Sequence, residues 1–331
     1  MKVSQLSEQQ ILARILPILP SGPYTSLGVG DDCAVVNAPD RRFVVTTDVL
    51  VEGVHFRLDW STGAEVGARA AAQNLADVAA MGAQPTSLVI SLVLPPDLEM
   101  SWVEDFAGGL GAEVFRAGAG VVGGDLSRGP TLVVSVAAHG RLGGEPITRS
   151  GARPGDTLAV VGTLGQSAAG LTALEMGAVS PALHGAAVPT PFTQPVQLYR
   201  SPQPPLEAGP LAAQRGATAM MDISDGLVRD AGRMAEASDV AIDITRYGLH
   251  EDRAALKKVG KALGVDPLEW ILYGGEDHSL LVAFPPYVLT TAPFRAIGTV
   301  GKYGESRGSR QKARVTLDGQ PLANGFDHFG G

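Results

Sequence analysis

The chain has 331 residues, a formal net charge of −8, 42 glycines and one cysteine. That length holds two domains with a sizeable core. The acidic balance argues against nucleic acid or an anionic membrane as a partner, and the lone Cys33 rules out an intrachain disulfide or a cysteine-based metal cluster. No run reaches the roughly 18 apolar residues that span a bilayer, and residues 1–10 lack the apolar core of a secretory signal. A cytoplasmic location is expected.

Residues 7–16 predict a short amphipathic helix, capped by Ser7 and ended by Pro17 and Pro20. An acidic turn, Gly30-Asp31-Asp32, follows, and then a Val-rich strand is predicted at 43–50. Thr46, Thr47 and Asp48 interrupt that strand with oxygens that need partners. Residues 62–80 predict an Ala-rich helix on which Asn74 and Asp77, three apart, share a covered face. A strand at 86–94, a helix at 100–117, a short strand at 121–122 leading into Gly123-Gly124-Asp125, and a longer strand at 131–142 complete the first half. The glycines at 118, 120 and 123 match the spacing of a dinucleotide fingerprint, but the order there is helix then strand, which excludes it. No P-loop is present.

A turn-rich crossover at 149–156 divides the chain into domains expected at 1–143 and 144–331. Strands are predicted at 156–162, 218–221, 240–244, 279–284, 295–301 and 313–317, with helices at 167–176, 206–215, 226–237 and 252–263. Residues 179–205 are rich in proline and are expected to be a partly mobile connection or a lid. Strands and helices interleave in both halves, so the expected class is α/β (α+β) with two domains.

Acids stand beside Gly, Ser, Thr or Asn at probable strand ends and helix starts: Asp32, Asp48, Asp77, Asp125, Asp222, Asp225, Glu276 and Asp277. Either of the first two acidic turns, taken alone, reads better as a solvated turn with a strand-end Asx turn. Together the acids describe an oxygen-rich site. Two carboxylates about 4 Å apart repel by roughly 4 kcal/mol at an effective dielectric near 20, so such a cluster calls for cations or protons. Hard cations such as Mg²⁺ take oxygen ligands, and phosphoryl transfer uses them to screen charge. Arg149 and Arg128 are the candidate positive side chains. No Ser-His-Asp signature or His-x-x-x-His pair competes with this reading.

The ordered set of motifs resembles the thiamine-monophosphate kinase family of the aminoimidazole-ribonucleotide synthetase superfamily. The matching stretches are Gly30-Asp-Asp-Cys-Ala-Val, Thr46-Thr-Asp48 through His55-Phe56, Asn74 through Ala83, Gly123-Gly-Asp125, Thr148-Arg-Ser-Gly151, Asp222-Ile-Ser-Asp-Gly-Leu227, Gly274-Gly-Glu-Asp277 and Gly325-Phe-Asp-His-Phe329. The resemblance implies a two-domain fold with mixed sheets and packed helices, and a homodimer. It implies direct, Mg²⁺-assisted in-line transfer of the γ-phosphoryl of ATP to thiamine monophosphate. Several Mg²⁺ ions are implied, with K⁺ a further candidate. Carried over residue by residue, it assigns metal ligation to Asp32, Thr46, Thr47, Asp48, Asp77, Asp125, Asp222 and Asp225. It assigns ATP contacts to Gly124, Asp125, Arg149 and Ser224, and thiamine contacts to His55, Glu276 and Phe329. Asp48, Asp77, Asp125 and Arg149 would be the catalytic set. A cationic thiazolium suits a carboxylate and an aromatic face.

One departure stands out: His278-Ser279 replaces the Tyr-Glu common after the Gly-Gly-Glu-Asp motif. The rivals are another ATP-using enzyme of the superfamily and a non-catalytic nucleotide or metal sensor. Selenophosphate synthesis would want a reactive Cys near the N-terminus, and the hydrogenase-maturation relative a C-terminal Cys; neither is present. A sensor would be expected to lack some of the acidic ligands.

Overall fold

A computed structural model describes residues 1–27, 35–39, 41–180, 188–304 and 314–322. Helix α1 (Glu8–Ile15) starts at Ser7, whose hydroxyl and Gln10 form a reciprocal cap. Strands β1 (Thr25–Leu27) and β2 (Val35–Val36) pair antiparallel. The first body then follows as β3 (Phe43–Val51), α2 (Gly63–Ala80), β4 (Gln84–Leu94), α3 (Met100–Arg116), β5 (Gly120–Arg128) and β6 (Val133–Arg141). Its four strands run in the order β3-β6-β4-β5; β4 and β5 are parallel, the other neighbours antiparallel.

Both long helices lie on one face of this sheet, over a core that includes Leu75, Leu88, Ile90, Phe106 and Leu110. They meet backbone to backbone. A Cβ at Gly67 would strike the Phe106 carbonyl, and one at Gly109 the Ala64 carbonyl. Thr62 and Glu65 cap α2 reciprocally, which sets where it begins. The described residues leave most of the other sheet face open, and Phe43, Val45 and Val49 stand 58%, 61% and 45% exposed on it.

The second body comprises β7 (Thr157–Val161), α4 (Gln166–Glu175), α5 (Thr193–Arg200), α6 (Ala208–Gln214), β8 (Ala219–Ile223), α7 (Leu227–Ala237) and β9 (Val240–Ile244). It continues through α8 (His250–Leu263), α9 (Pro267–Tyr273), β10 (Ser279–Phe284), β11 (Arg295–Lys302), β12 (Val315–Leu317) and β13 (Gln320–Pro321). Seven strands make one mixed sheet, β13-β12-β9-β11-β7-β10-β8. One face of it is packed with apolar residues from α4, α5, α7, α8 and α9. The other carries Met220, Leu280, Val282 and Phe284 against α6 and against Ala79 and Ala80 at the end of α2. Helix α2 therefore touches both sheets, and its last turns lie at their junction.

Several elements differ from the sequence-based expectation, the short strands β1, β2 and β13 among them. Strand β5 extends to Arg128, because its register with β4 continues past the glycines to Leu94. Helix α5 forms within the proline-rich stretch; residues 181–187 of that stretch lie outside the described residues. Helix α9 was not expected, although Asp266 caps it and Pro267 opens it.

Candidate active site

The junction between the sheets gathers the acids. Thr46 and Asp48 lie two apart on β3 and so face the same way, toward α2. Arg69, Gln73 and Asp77 recur every four residues on α2 and line one stripe of it. Asp222 lies on β8, paired with Leu280, on the sheet face that meets α2. Thr46 Oγ1 donates to Asp77 Oδ2 at 2.7 Å, and Asp48 shares a hydrogen bond with Gln73. His278 Nδ1 stands 3.4 Å from Asp222 Oδ2, and its Nε2 stands 3.7 Å from Glu276 Oε2. Arg69 Nη2 donates to the same Glu276 oxygen at 2.5 Å, and its Nη1 donates to the Tyr199 carbonyl at 3.0 Å. Thr46, Asp77, Thr148, Arg149 and Asp222 line a cleft of about 380 Å³. A larger cleft of about 650 Å³, lined by Tyr24, Gln84, Arg116 and Glu207 among others, contains none of the predicted site residues.

Electrostatics mark this junction. Burial, then the charges of Asp222 and Asp48, push the Asp77 carboxyl up to about 7 against the Thr46 hydrogen bond. Burial also raises Asp48, with His278 and Gln73 opposing it. Burial alone would lower His278, but hydrogen bonds and charge from Asp222 and Glu276 raise it to about 10. Glu276 moves the other way: burial would raise it, and Arg69 with His278 holds it well below the usual carboxylate range.

Whether this set suits Mg²⁺ follows from its chemistry. Among the described residues no group of three or more His, Cys, Asp or Glu is preassembled as a metal cage. Mg²⁺ rarely uses such a cage; it takes one or two carboxylates, waters and substrate phosphates. Asp48, Asp77 and Asp222 are hard oxygen donors whose mutual repulsion a cation relieves, so the residues present fit the ion.

The remaining predicted residues are distributed differently. Thr47 faces the uncovered side of the sheet, and its hydroxyl donates to the Val136 carbonyl at 2.9 Å. Asp125 shares that side, because the register runs Val49, Ser135, Ser91, Asp125 across the four strands. It lies on the far edge strand and accepts from Ser127 Oγ at 3.1 Å. Gly124, next to it, borders a cleft of about 530 Å³ with Phe43, Val89 and His139. Arg128 closes the same strand, exposed.

Asp225 is bound by Arg233 at 2.6 Å and lies 3.8 Å from Arg229. Asp230 accepts the backbone N–H groups of Ser224 and Asp225 at 3.1 and 2.9 Å and so fixes the loop after β8. The Ser224 carbonyl accepts the Glu276 N–H at 2.8 Å. His55 follows β3, where its Nδ1 accepts the Val51 N–H at 3.0 Å. Asp32 and Phe329 lie outside the described residues. Asp277 turns away from its neighbours and accepts from the N–H groups of Gly165, Gln166 and Ser167 at the start of α4. Arg69, Gln73, Asp230 and the contacts of His278 were not anticipated as site features.

Comparison with known proteins agrees with this architecture. Residues 30–142 match the model for the AIR synthase related protein N-terminal domain, and residues 153–286 match that for its C-terminal domain. The chain is therefore an AIR synthase-related protein. Hydrogenase maturation protein HypE shares the fold at 21% identity and a TM-score of 0.70, over 95% of this chain and 94% of that one. Much higher identity links the chain to thiamine-monophosphate kinases. The Mycobacterium tuberculosis protein is 42% identical over 99% of this chain and 93% of its own, and the Escherichia coli K12 protein 35% over 92% of each. The crystal structure of thiamine monophosphate kinase from Aquifex aeolicus superposes with a TM-score of 0.74 at 32% identity, covering 97% of this chain and 99% of that one. AaThiL complexed with AMPPCP and TMP superposes with a TM-score of 0.73 at 33% identity, covering 99% of both chains. The chain belongs to the thiamine-monophosphate kinase family.

Proposed function

We propose that this chain carries out the family's reaction at the β3–α2–β8 junction. ATP phosphorylates thiamine monophosphate, giving thiamine diphosphate and ADP. One observation carries the placement: Thr46, Asp48, Asp77 and Asp222 converge from three elements of both bodies beside Arg149. Two anionic substrates meeting among carboxylates require positive charge between them. Asp48, Asp77 and Asp222 would hold Mg²⁺, which would supply that positive charge and screen the anionic transition state. Thr46 orients the Asp77 carboxylate. Arg149, on the exposed lip of the cleft, holds a phosphate oxygen. The acceptor is itself a phosphate anion, so no general base is needed to deprotonate an alcohol. Asp32, Asp225, Ser224, His55 and Phe329 complete the metal, nucleotide and thiamine contacts in this reading, and the cytoplasm is its setting.

Assembly belongs to the same proposal. Phe43, Val45 and Val49 leave an apolar sheet face open, and Thr47, Gly124 and Asp125 lie on or beside it. A second copy seated on that face buries the apolar residues, so the catalytic unit is a homodimer. ADP release, coupled to a reporter enzyme, tests the whole reading. Thiamine monophosphate should support turnover, in a Mg²⁺-dependent manner, and free thiamine should not, since an alcohol lacks the anionic group the cations hold. The same assay with and without K⁺ decides the monovalent requirement. Comparable turnover of free thiamine would reject the acceptor assignment.

A further inference from the structure

Arg149 reaches the acidic cleft from the connection between β6 and β7. It lines that cleft with Thr148, Asp77 and Asp222. The residue is exposed, and among the described residues nothing bonds its guanidinium. A long side chain with no partner of its own takes its aim from its backbone.

That backbone is held from several sides. The Thr148 carbonyl accepts the Met220 N–H at 3.2 Å, on the free edge of β8. Gly151 passes so close to the start of β8 that a Cβ there would strike the Thr218 carbonyl. Between these two points, Ser238 Oγ donates to the Arg149 carbonyl at 2.8 Å and accepts the Ala152 N–H at 3.1 Å. One hydroxyl thus uses its proton and a lone pair to staple both ends of the turn that begins at Arg149.

Ser238 is 89 residues from Arg149 in sequence. It ends α7, where its N–H closes the last turn on the Met234 carbonyl. Helix α7 is itself fixed. Leu227, Val228, Ala231 and Met234 are buried in the second core, and Asp230 in the first turn holds the amides of Ser224 and Asp225. The helix therefore carries the loop that follows Asp222 at one end, and at the other the hydroxyl that holds the Arg149 carbonyl.

We infer that Ser238 is a positioning residue for Arg149. Through the carbonyl of residue 149 and the amide of residue 152 it sets where the guanidinium meets a phosphate oxygen. The inference rests on the reading of Arg149 given above and extends it to a residue outside the cleft. It also gives α7 a part in the site: the helix keeps the arginine in register with the loop after Asp222.

A double-mutant cycle in the whole enzyme tests this. The variants are Ser238→Ala, Arg149→Ala and the pair, with Ser238→Thr as the variant that keeps the hydroxyl. For each, kcat/KM for ATP and the thermal midpoint are measured. Ser238→Ala should lower kcat/KM by about three- to tenfold, the size of one net hydrogen bond. Ser238→Thr should recover it to within about twofold. In the Arg149→Ala background, Ser238→Ala should change kcat/KM by less than about 1.5-fold, because the side chain it aims is gone. An equal loss in both backgrounds overturns the inference, and so does a lowered midpoint in Ser238→Ala with kcat/KM unchanged. Failure of the underlying reading shows separately: Arg149→Ala would then keep the wild-type kcat/KM for ATP, and the inference would fall with it.

Discussion

Thr46 on β3 donates its hydroxyl proton to Asp77 on α2 at 2.7 Å, and this bond crosses from the first sheet to the helix that reaches the second. It holds the carboxylate toward Asp222 and Asp48, whose charges oppose its own. Asp77→Asn keeps the shape and removes the charge. Its turnover should fall by about a hundredfold or more, since a metal contact in the transition state is worth several kcal/mol. Raising Mg²⁺ should restore only part, because a neutral amide bridges cations poorly. Near-wild-type turnover at limiting Mg²⁺ would remove Asp77 from the site.

The same residue sets a pH dependence in chelator. Folded Asp77 holds its proton to about pH 7, whereas the unfolded chain releases it near the ordinary aspartate value of 3.8. Between those values the folded state binds more protons, so this contribution to stability is complete below the lower value and is lost as pH rises through the upper. Thermal midpoints in EDTA should decline across that window, and the decline should be shallower in Asp77→Asn. An identical slope in both proteins assigns the effect elsewhere.

His278→Ala addresses the other side of the cluster. The imidazole is 4% exposed and stands between Asp222 and Glu276. Removing it leaves the buried Asp222 carboxylate without its partner, while Glu276 keeps Arg69; breaking comparable buried pairs destabilises by about 3 kcal/mol. Denaturant midpoints in EDTA measure this. A loss within about 0.5 kcal/mol, the range of an inert surface change, would contradict the geometry.

Asp230 is fully buried and holds two amides of the loop that follows β8. Asp230→Ala leaves both donors unmatched, at about 1–3 kcal/mol each. We expect a lower thermal midpoint together with a raised KM for ATP, and Asp230→Asn, which keeps one acceptor, should recover part of both. Loss of midpoint with unchanged KM would make the residue structural only.

Val49→Asp tests the assembly. Val49 is 45% exposed on the open sheet face and is not among the residues that line the acidic cleft. As a monomer change it should alter stability by no more than about 0.5 kcal/mol. In the dimer it buries a charge, so light scattering should report monomers and activity should fall with them. A fully active monomer at micromolar concentration removes the dimer from the mechanism.

Much of this site is visible in the chain as text. Thr46, Asp48, Asp77 and Asp222 stand out because polar oxygens interrupt strands and helices that are otherwise apolar. What is hidden is which of them share a side. Period two separates Thr47 from Thr46, and the register across four strands, a long-range property, sends Asp125 to the same side as Thr47. On α2 the spacing of Arg69, Gln73 and Asp77 was available to a reader. The closer pairing of Asp77 with Asn74 obscured it. Asn74 is buried, and its amide donates to the Ala70 carbonyl of its own helix. His278 drew notice only as an unusual residue. Its positive φ depends on carbonyls from a strand more than fifty residues away.

Asp277 closes a circuit. Its carboxylate is tied to the first turn of α4. Helix α4 meets α5 so closely that a Cβ at Gly170 would strike the Pro195 carbonyl. The Tyr199 carbonyl on α5 holds Arg69, which holds Glu276, the neighbour of Asp277. Force entering anywhere on this ring reaches the same carboxylate from two directions. A single methyl group at Gly170, in a helix that carries none of the cleft's acids, would wedge the two helices apart and move Glu276. The placement of Glu276 is therefore adjustable from a distance, by helices that carry none of the cleft's acids.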